Sequence, residues 1–170
     1  SSIKNLNLAY HPLYLGDSNS AKVNYEFVDY NCGYCQKFHQ ELINVMKDNS
    51  LKLVIIQMPI LGNFSEELTK LALASSLQGQ FKVVHNYLYS NERKSKMEDI
   101  LADLFLRGVD LDILKNDLDS QEVADFLSIH RSYADEFKFT GTPATIIGNQ
   151  IIPGFIDADK ITEILEKEFS

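Results

Sequence analysis

Two cysteines separated by two residues form the part of this sequence that could carry out redox chemistry. Cys32 and Cys35 are the only cysteines among the 170 residues, and Gly33 and Tyr34 lie between them. Such a pair can close a disulfide and reopen it by thiol–disulfide exchange, in which a thiolate is the attacking species. The spacing therefore predicts one attacking and one resolving sulfur.

A strand before the pair and a helix after it would position the two sulfurs. Residues 21–28 alternate between two faces, which is the periodicity of a strand. From Cys35 onward, apolar residues recur at three- and four-residue intervals, which indicates an amphipathic helix. With Asn31 as the N-cap, Cys32 would fall in the first helical turn, where free N–H groups and the helix dipole favour an anion.

Three other uses of the cysteines stay open at this point. A zinc site would need two more ligands, and the histidines are scattered, although His39 shares a helical face with Cys35. A structural disulfide over so short a loop would constrain the unfolded chain little. The thiols could also be buried and inert. We expect no metal and no cofactor.

The segments around the cysteines predict an alternation of strands and helices. Residues 11–15 could form a short edge strand with a proline at its start. The helix after the cysteines should end near residues 48–50, and residues 51–57 then form a buried strand. Strand, helix and strand make a βαβ unit, so the two strands should be parallel.

A long helical block should follow this unit. Helical periodicity extends over residues 63–137, and Asn63 to Glu66 has the pattern of a capping box. Later helices in the block are expected at residues 97–106, 111–118 and 120–137.

The chain should end in two strands and a helix. Strand patterns return at residues 144–147 and 150–152, and Gly148 and Asn149 between them suit a type II′ hairpin turn. Asp157 is placed to cap the final helix.

The resulting order, βαβ, helical block and ββα, predicts an α/β protein with a thioredoxin fold and an inserted helical domain. We assign residues 1–62 and 138–170 to the thioredoxin-like domain and residues 63–137 to the inserted domain. The formal net charge of −8 argues against nucleic acid or an anionic membrane as a partner.

The chain resembles the bacterial DsbA-like thiol–disulfide oxidoreductases. The resemblance extends over residues 26–38, the helical block, and the motif Gly-Thr-Pro-Ala at 141–144. It implies that Cys32 is the nucleophile, that Cys35 is the resolving thiol, and that Thr142–Pro143 forms a loop with a cis peptide bond facing them. It also implies a periplasmic enzyme that oxidises unfolded or reduced secreted proteins and exchanges electrons with a membrane partner.

The resemblance further implies a role for Glu26, which precedes Cys32 by six residues, where this family has a buried acid. A buried carboxyl group could exchange a proton with Cys35 during turnover. Asp29 is a second candidate for that role.

The residues expected to meet substrate are Gly33, Tyr34, Thr142 and Pro143, with Phe155 beside Tyr34 as part of a shallow apolar platform. Backbone pairing at the Thr142–Pro143 loop would tolerate varied substrate sequences.

The Gly-Tyr dipeptide between the cysteines, together with Thr142 before Pro143, also resembles the DsbC-type isomerases, which are dimers. The alternative is therefore a disulfide isomerase or reductase of the same fold, completed by a dimerisation region that precedes this sequence. A third hypothesis is a thioredoxin-fold module that binds unfolded chains without redox turnover.

Overall fold

A five-stranded mixed sheet forms the centre of the protein. In the computed structural model, which describes residues 13–170, the strand order is β1-β3-β2-β4-β5. The strands are β1 (Tyr14–Gly16), β2 (Val23–Val28), β3 (Lys52–Gln57), β4 (Ala144–Ile147) and β5 (Gln150–Pro153). The predicted edge strand is confirmed at Tyr14–Gly16, while residues 11 and 12 lie outside the described part of the chain.

The βαβ unit is confirmed, because β2 and β3 pair in parallel from Val23 opposite Lys52 to Val28 opposite Gln57. Strands β1 and β4 run antiparallel to their neighbours. Since β2 is the central strand of the sheet, the residues that follow its carboxyl end leave the sheet between the ends of β3 and β4.

Seven helices surround this sheet over residues 13–170, and five of them come between β3 and β4. They are α1 (Gly33–Asp48), α2 (Asn63–Ser76), α3 (Phe81–Leu88), α4 (Met97–Leu106), α5 (Leu111–Asp117), α6 (Gln121–Glu136) and α7 (Ala158–Phe169). Their bounds agree closely with the predicted helices at 97–106, 111–118 and 120–137. The α/β class and the thioredoxin fold with helices inserted before β4 are therefore confirmed.

Alternate residues of β2 pack on opposite sides of the sheet, as the strand pattern predicted. Tyr25 and Phe27 join a core on one side with residues of β3, β4 and α6. Val28 joins the larger core on the other side, which includes Phe38 and Leu42 of α1. Both faces of β2 are consequently buried.

Two local predictions have different outcomes. Gly148 has φ +58° between β4 and β5, and Asn149 has no positive φ, which agrees with a type II′ turn. The capping box predicted for α2 is not formed, because Gly62 is the N-cap and no side chain caps the helix. Ser65 instead donates its hydroxyl hydrogen to the Asp29 carboxylate at 2.8 Å.

Over residues 13–170, no helix has both the length and the apolar composition required to cross a bilayer.

Candidate active site

The amino end of α1 is built differently from the prediction, since Cys32 rather than Asn31 is the N-cap. Cys32 has extended backbone angles, and its sulfur accepts a hydrogen bond from the Cys35 N–H at 3.3 Å. The Asn31 side-chain oxygen accepts from Arg93 at 3.3 Å and does not cap the helix. The first sulfur is thus held at the helix terminus by the backbone of the second cysteine.

The two cysteines, both free thiols, differ in their access to solvent. Cys32 is partly exposed, whereas Cys35 is completely buried. Burial raises the pKa of the Cys35 thiol, against the lowering effect of a hydrogen bond with the Asp29 backbone. An incoming molecule can therefore reach only the Cys32 sulfur, and Cys35 stays protonated behind it.

The loop before β4 faces Cys32. The Thr142–Pro143 peptide bond is cis, as the resemblance implied. The Cys32 thiol lies 3.6 Å from the Thr142 carbonyl oxygen, and the Pro143 carbonyl accepts from the Gly154 N–H at 2.9 Å. The Pro143 carbonyl is therefore occupied within the fold, and the Thr142 carbonyl is the one that contacts the Cys32 thiol.

Glu26 is fully buried in the middle of β2, between β3 and β4. Neither of its carboxyl oxygens has a hydrogen-bond partner within residues 13–170. Burial raises the pKa of Glu26 to about 8, so the carboxyl group holds its proton at neutral pH. Burial also raises the pKa of Tyr89, and the charges of Cys35 and Glu26 raise it further.

Asp29, the second acidic candidate, is also buried but is fully hydrogen-bonded. Its carboxylate accepts from the N–H groups of Asn31, Ile60 and Leu61 and from the Ser65 hydroxyl, at 2.8–3.0 Å. These bonds attach the loop after β3 to the turn before α1. Asp29 is therefore occupied as a structural anchor, whereas Glu26 has free oxygens.

The histidines that seemed scattered in the sequence are partly clustered beside the active site. The His39 and His85 rings lie 5.0 Å apart, and His85 Nδ1 lies 2.6 Å from the Tyr30 hydroxyl. The Gln57 side chain donates to the same hydroxyl at 2.9 Å. Burial lowers the pKa of His39 to about 4. Residues 13–170 contain no group of three or more His, Cys, Asp or Glu side chains able to hold a metal ion.

Sequence reasoning missed this polar cluster because its members come from α1, α3, the end of β2 and the end of β3. The only sequence signal was the occurrence of single polar residues on otherwise apolar faces.

The predicted apolar platform is assembled on one side of the cysteines. Tyr34 is 64% exposed, and its ring centroid lies 6.0 Å from that of the partly buried Phe155. Phe155 also packs against Phe38 at 6.0 Å. Gly33 begins α1 and has open space around it. The structure thus brings together all the residues predicted to meet substrate: Gly33, Tyr34, Thr142, Pro143 and Phe155.

Comparison with known proteins gives both related sequences and related structures. The "Probable disulfide bond formation protein D" of Bacillus cereus is 25% identical, over 84% of this chain and 72% of the relative. The structure of the thiol-disulfide exchange protein alpha-DsbA2 from Wolbachia pipientis is 25% identical with a TM-score of 0.87, over 98% of this chain and 91% of that one. A thioredoxin-like oxidoreductase from Silicibacter pomeroyi is 27% identical with a TM-score of 0.84, over 91% and 90% of the two chains.

A family model described as thioredoxin matches residues 9–167, which is nearly the whole chain. Together with the inserted helices, the cis-proline loop and the pair of cysteines at the start of α1, this match identifies the branch of the family. The chain belongs to the thioredoxin family and is a DsbA-like member of it.

Proposed function

We propose that this protein is a dithiol oxidase, which passes a disulfide between Cys32 and Cys35 to reduced secreted proteins. The observation that carries the proposal is the asymmetry of the two thiols: Cys32 is partly exposed at the amino end of α1, and Cys35 is buried behind it. The similarity to a disulfide bond formation protein and a thiol-disulfide exchange protein supports the same chemistry.

The proposed reaction begins with the oxidised protein. A substrate thiolate attacks the Cys32 sulfur, a mixed disulfide forms, and the Cys32–Cys35 bond breaks. Cys35 leaves with the electron pair and takes a proton from Glu26. A second substrate thiolate then attacks the substrate sulfur, and Cys32 leaves as a thiolate. Glu26 and Cys32 then each take up a proton, which matches the two protons that the substrate thiols released, so the substrate has lost two electrons and two protons and the protein is a dithiol.

Glu26 suits this proton transfer for two reasons. Its pKa of about 8 lets it hold a proton at neutral pH and release it at modest cost. Its oxygens have no hydrogen bonds to break within the described residues. Asp29 would have to give up several hydrogen bonds to act in the same way, so we assign the role to Glu26.

A partner and a compartment belong to the proposal as well. An oxidase must be reoxidised after each turnover, and we propose a membrane redox protein for that step. Because disulfides persist in oxidising compartments, the periplasm or another space outside the cytoplasm suits the activity.

The test is a set of three measurements on the protein: two catalysed reactions and one redox equilibrium. The oxidised protein should rapidly oxidise a reduced peptide that contains two cysteines, and it should refold scrambled ribonuclease poorly. Its redox equilibrium with glutathione should lie towards the reduced protein. Efficient refolding of scrambled ribonuclease with weak peptide oxidation would favour the isomerase, and no exchange in any assay would favour a binding module.

We propose that substrate pairs as an extended strand with the Thr142 carbonyl, while Gly33 and Tyr34 contact its side chains. Replacing Pro143 with alanine adds a backbone N–H next to this carbonyl. The extra donor should hold the substrate more tightly, so mixed disulfides on Cys32 should accumulate in cells and be visible on non-reducing gels. The double variant Pro143→Ala/Cys32→Ser is the control and should show none. If Pro143→Ala traps no complexes although Cys32 reacts with a small thiol reagent, substrate does not bind at this loop.

A further inference from the structure

A cavity of about 320 Å³ opens beside Cys32, and Gly33 is the one residue of its lining already assigned to substrate. One wall is the turn at residues 30–33 with Gln36 of α1, and the other wall is the loop after α3, at residues 88–91 with Arg93. Neither Thr142 nor Pro143 lines the cavity. Its size is at the lower end of the range for small-ligand sites.

Hydrogen bonds hold the two walls in place. The Gln36 side chain donates to the Tyr89 carbonyl at 2.9 Å. Arg93 donates through one terminal nitrogen to the Tyr30 carbonyl at 2.8 Å and through the other to the Asn31 side chain at 3.3 Å. The cavity is therefore a defined feature of the dithiol site, formed by two segments about 60 residues apart in sequence.

The charge of Arg93 has no acidic counterpart. Within residues 13–170, no carboxylate lies within ion-pair distance of it, although its neighbours Glu92 and Lys94 pair with Arg107 and Asp103. A guanidinium group has five N–H donors, and the bonds to the turn leave some of them for a ligand. An unpaired, partly buried arginine is notable in a protein with 24 acidic and 16 basic residues.

The opposite wall of the cavity contains the amino end of α1, which adds a second source of positive electrostatic potential. Helix α1 begins at Gly33, which lines the cavity, and a helix of 16 residues carries a partial positive charge at its amino end. Polar side chains of Asn31, Gln36 and Asn91 complete the lining. This surface matches a small anion, and a guanidinium fork matches a carboxylate most closely.

We propose that the cavity is a subsite for a carboxylate carried by the thiol substrate, bound by Arg93 and the amino end of α1 while the substrate sulfur meets Cys32. The inference rests on the proposed exchange at Cys32. The carboxylate can come from an acidic residue near the reacting cysteine of a polypeptide or from a small thiol such as glutathione, and both present the same group to Arg93.

The experiment measures how fast substrates reduce the oxidised protein, by acid quenching and mass spectrometry. One arm uses single-cysteine peptides in which the residue before the cysteine and the residue after it are replaced in turn by glutamate or by glutamine. The other arm uses glutathione and its diethyl ester. The arm that shows the preference for a free carboxylate identifies its source.

We expect the glutamate peptide or free glutathione to react roughly threefold to tenfold faster than its uncharged counterpart at low salt, as for a partly exposed charged hydrogen bond. Arg93→Gln should bring this ratio close to one, and Arg93→Lys should keep part of it. Lys115→Gln removes a cation on α5, outside the cavity, and should leave the ratio unchanged. If Arg93 only supports the turn before α1, its loss will slow charged and uncharged substrates equally.

Two results would overturn the inference alone: equal rates for charged and uncharged substrates in the native protein, or a preference that survives in Arg93→Gln. If the native protein reacts with no substrate above the buffer rate, the proposed function fails and the inference fails with it.

Discussion

Replacing Cys32 with serine should abolish thiol–disulfide exchange, whereas replacing Cys35 with serine should leave a protein that accumulates mixed disulfides. The reason is the difference in access, because only the Cys32 sulfur is exposed to an incoming molecule while Cys35 is buried. A serine hydroxyl cannot form a disulfide. Without the Cys35 thiol, a mixed disulfide at Cys32 has no intramolecular route to resolution.

Intact-mass spectrometry after incubation with an oxidised peptide measures both effects. We expect no adduct on Cys32→Ser and one peptide adduct on nearly every Cys35→Ser molecule. Alkylation of the reduced native protein by iodoacetamide is an independent check, and it should modify Cys32 long before Cys35. Preferential alkylation of Cys35, or exchange that survives in Cys32→Ser, would contradict the assignment of the two roles.

Replacing Glu26 with glutamine should make the protein more stable at alkaline pH. The pKa of Glu26 is about 8 in the folded protein and 4.5 for an ordinary glutamate, so the folded state binds the proton more tightly between these values. The contribution of Glu26 to the free energy of unfolding is therefore fully present below pH 4.5 and is lost as the pH rises to 8. The loss should amount to roughly 3–5 kcal/mol, from about 1.36 kcal/mol for each pKa unit.

Urea unfolding of the reduced protein at several values between pH 5 and pH 8.5 measures this effect. The stability of the native protein relative to Glu26→Gln should fall steadily as the pH rises across this range, because only the native protein has the Glu26 carboxyl group. Glu166→Gln removes an exposed acid from α7 and should follow the native curve. The low pKa of His39 should destabilise all three proteins equally as the pH falls from 6.5 to 4. Parallel curves for native protein and Glu26→Gln would show that Glu26 is not the buried titrating group.

Prediction from sequence worked best where the determining interactions are local. The strand before Cys32, the amphipathic helix after it and the helices at 97–106 and 111–118 follow from periodicity, which depends on neighbours a few residues apart. The Gly148 turn and the Asp157 cap follow from the backbone preferences of single residues. The resemblance to the DsbA-like family, carried by short motifs, added the cis bond at Pro143.

Local patterns in the sequence therefore predict the elements, their order and the two cysteines to which we assign the redox chemistry. The tertiary structure decided which polar groups satisfy one another across those elements. Asn31 has a good capping side chain, but Arg93, distant in sequence, binds its oxygen instead, and the Ser65 hydroxyl likewise donates to Asp29 on another segment. Burial likewise decided that Glu26 is protonated at neutral pH, since its desolvation depends on layers that pack on both faces of the sheet. Such contacts have no local pattern, because each partner is selected by the three-dimensional arrangement and not by its neighbours along the chain.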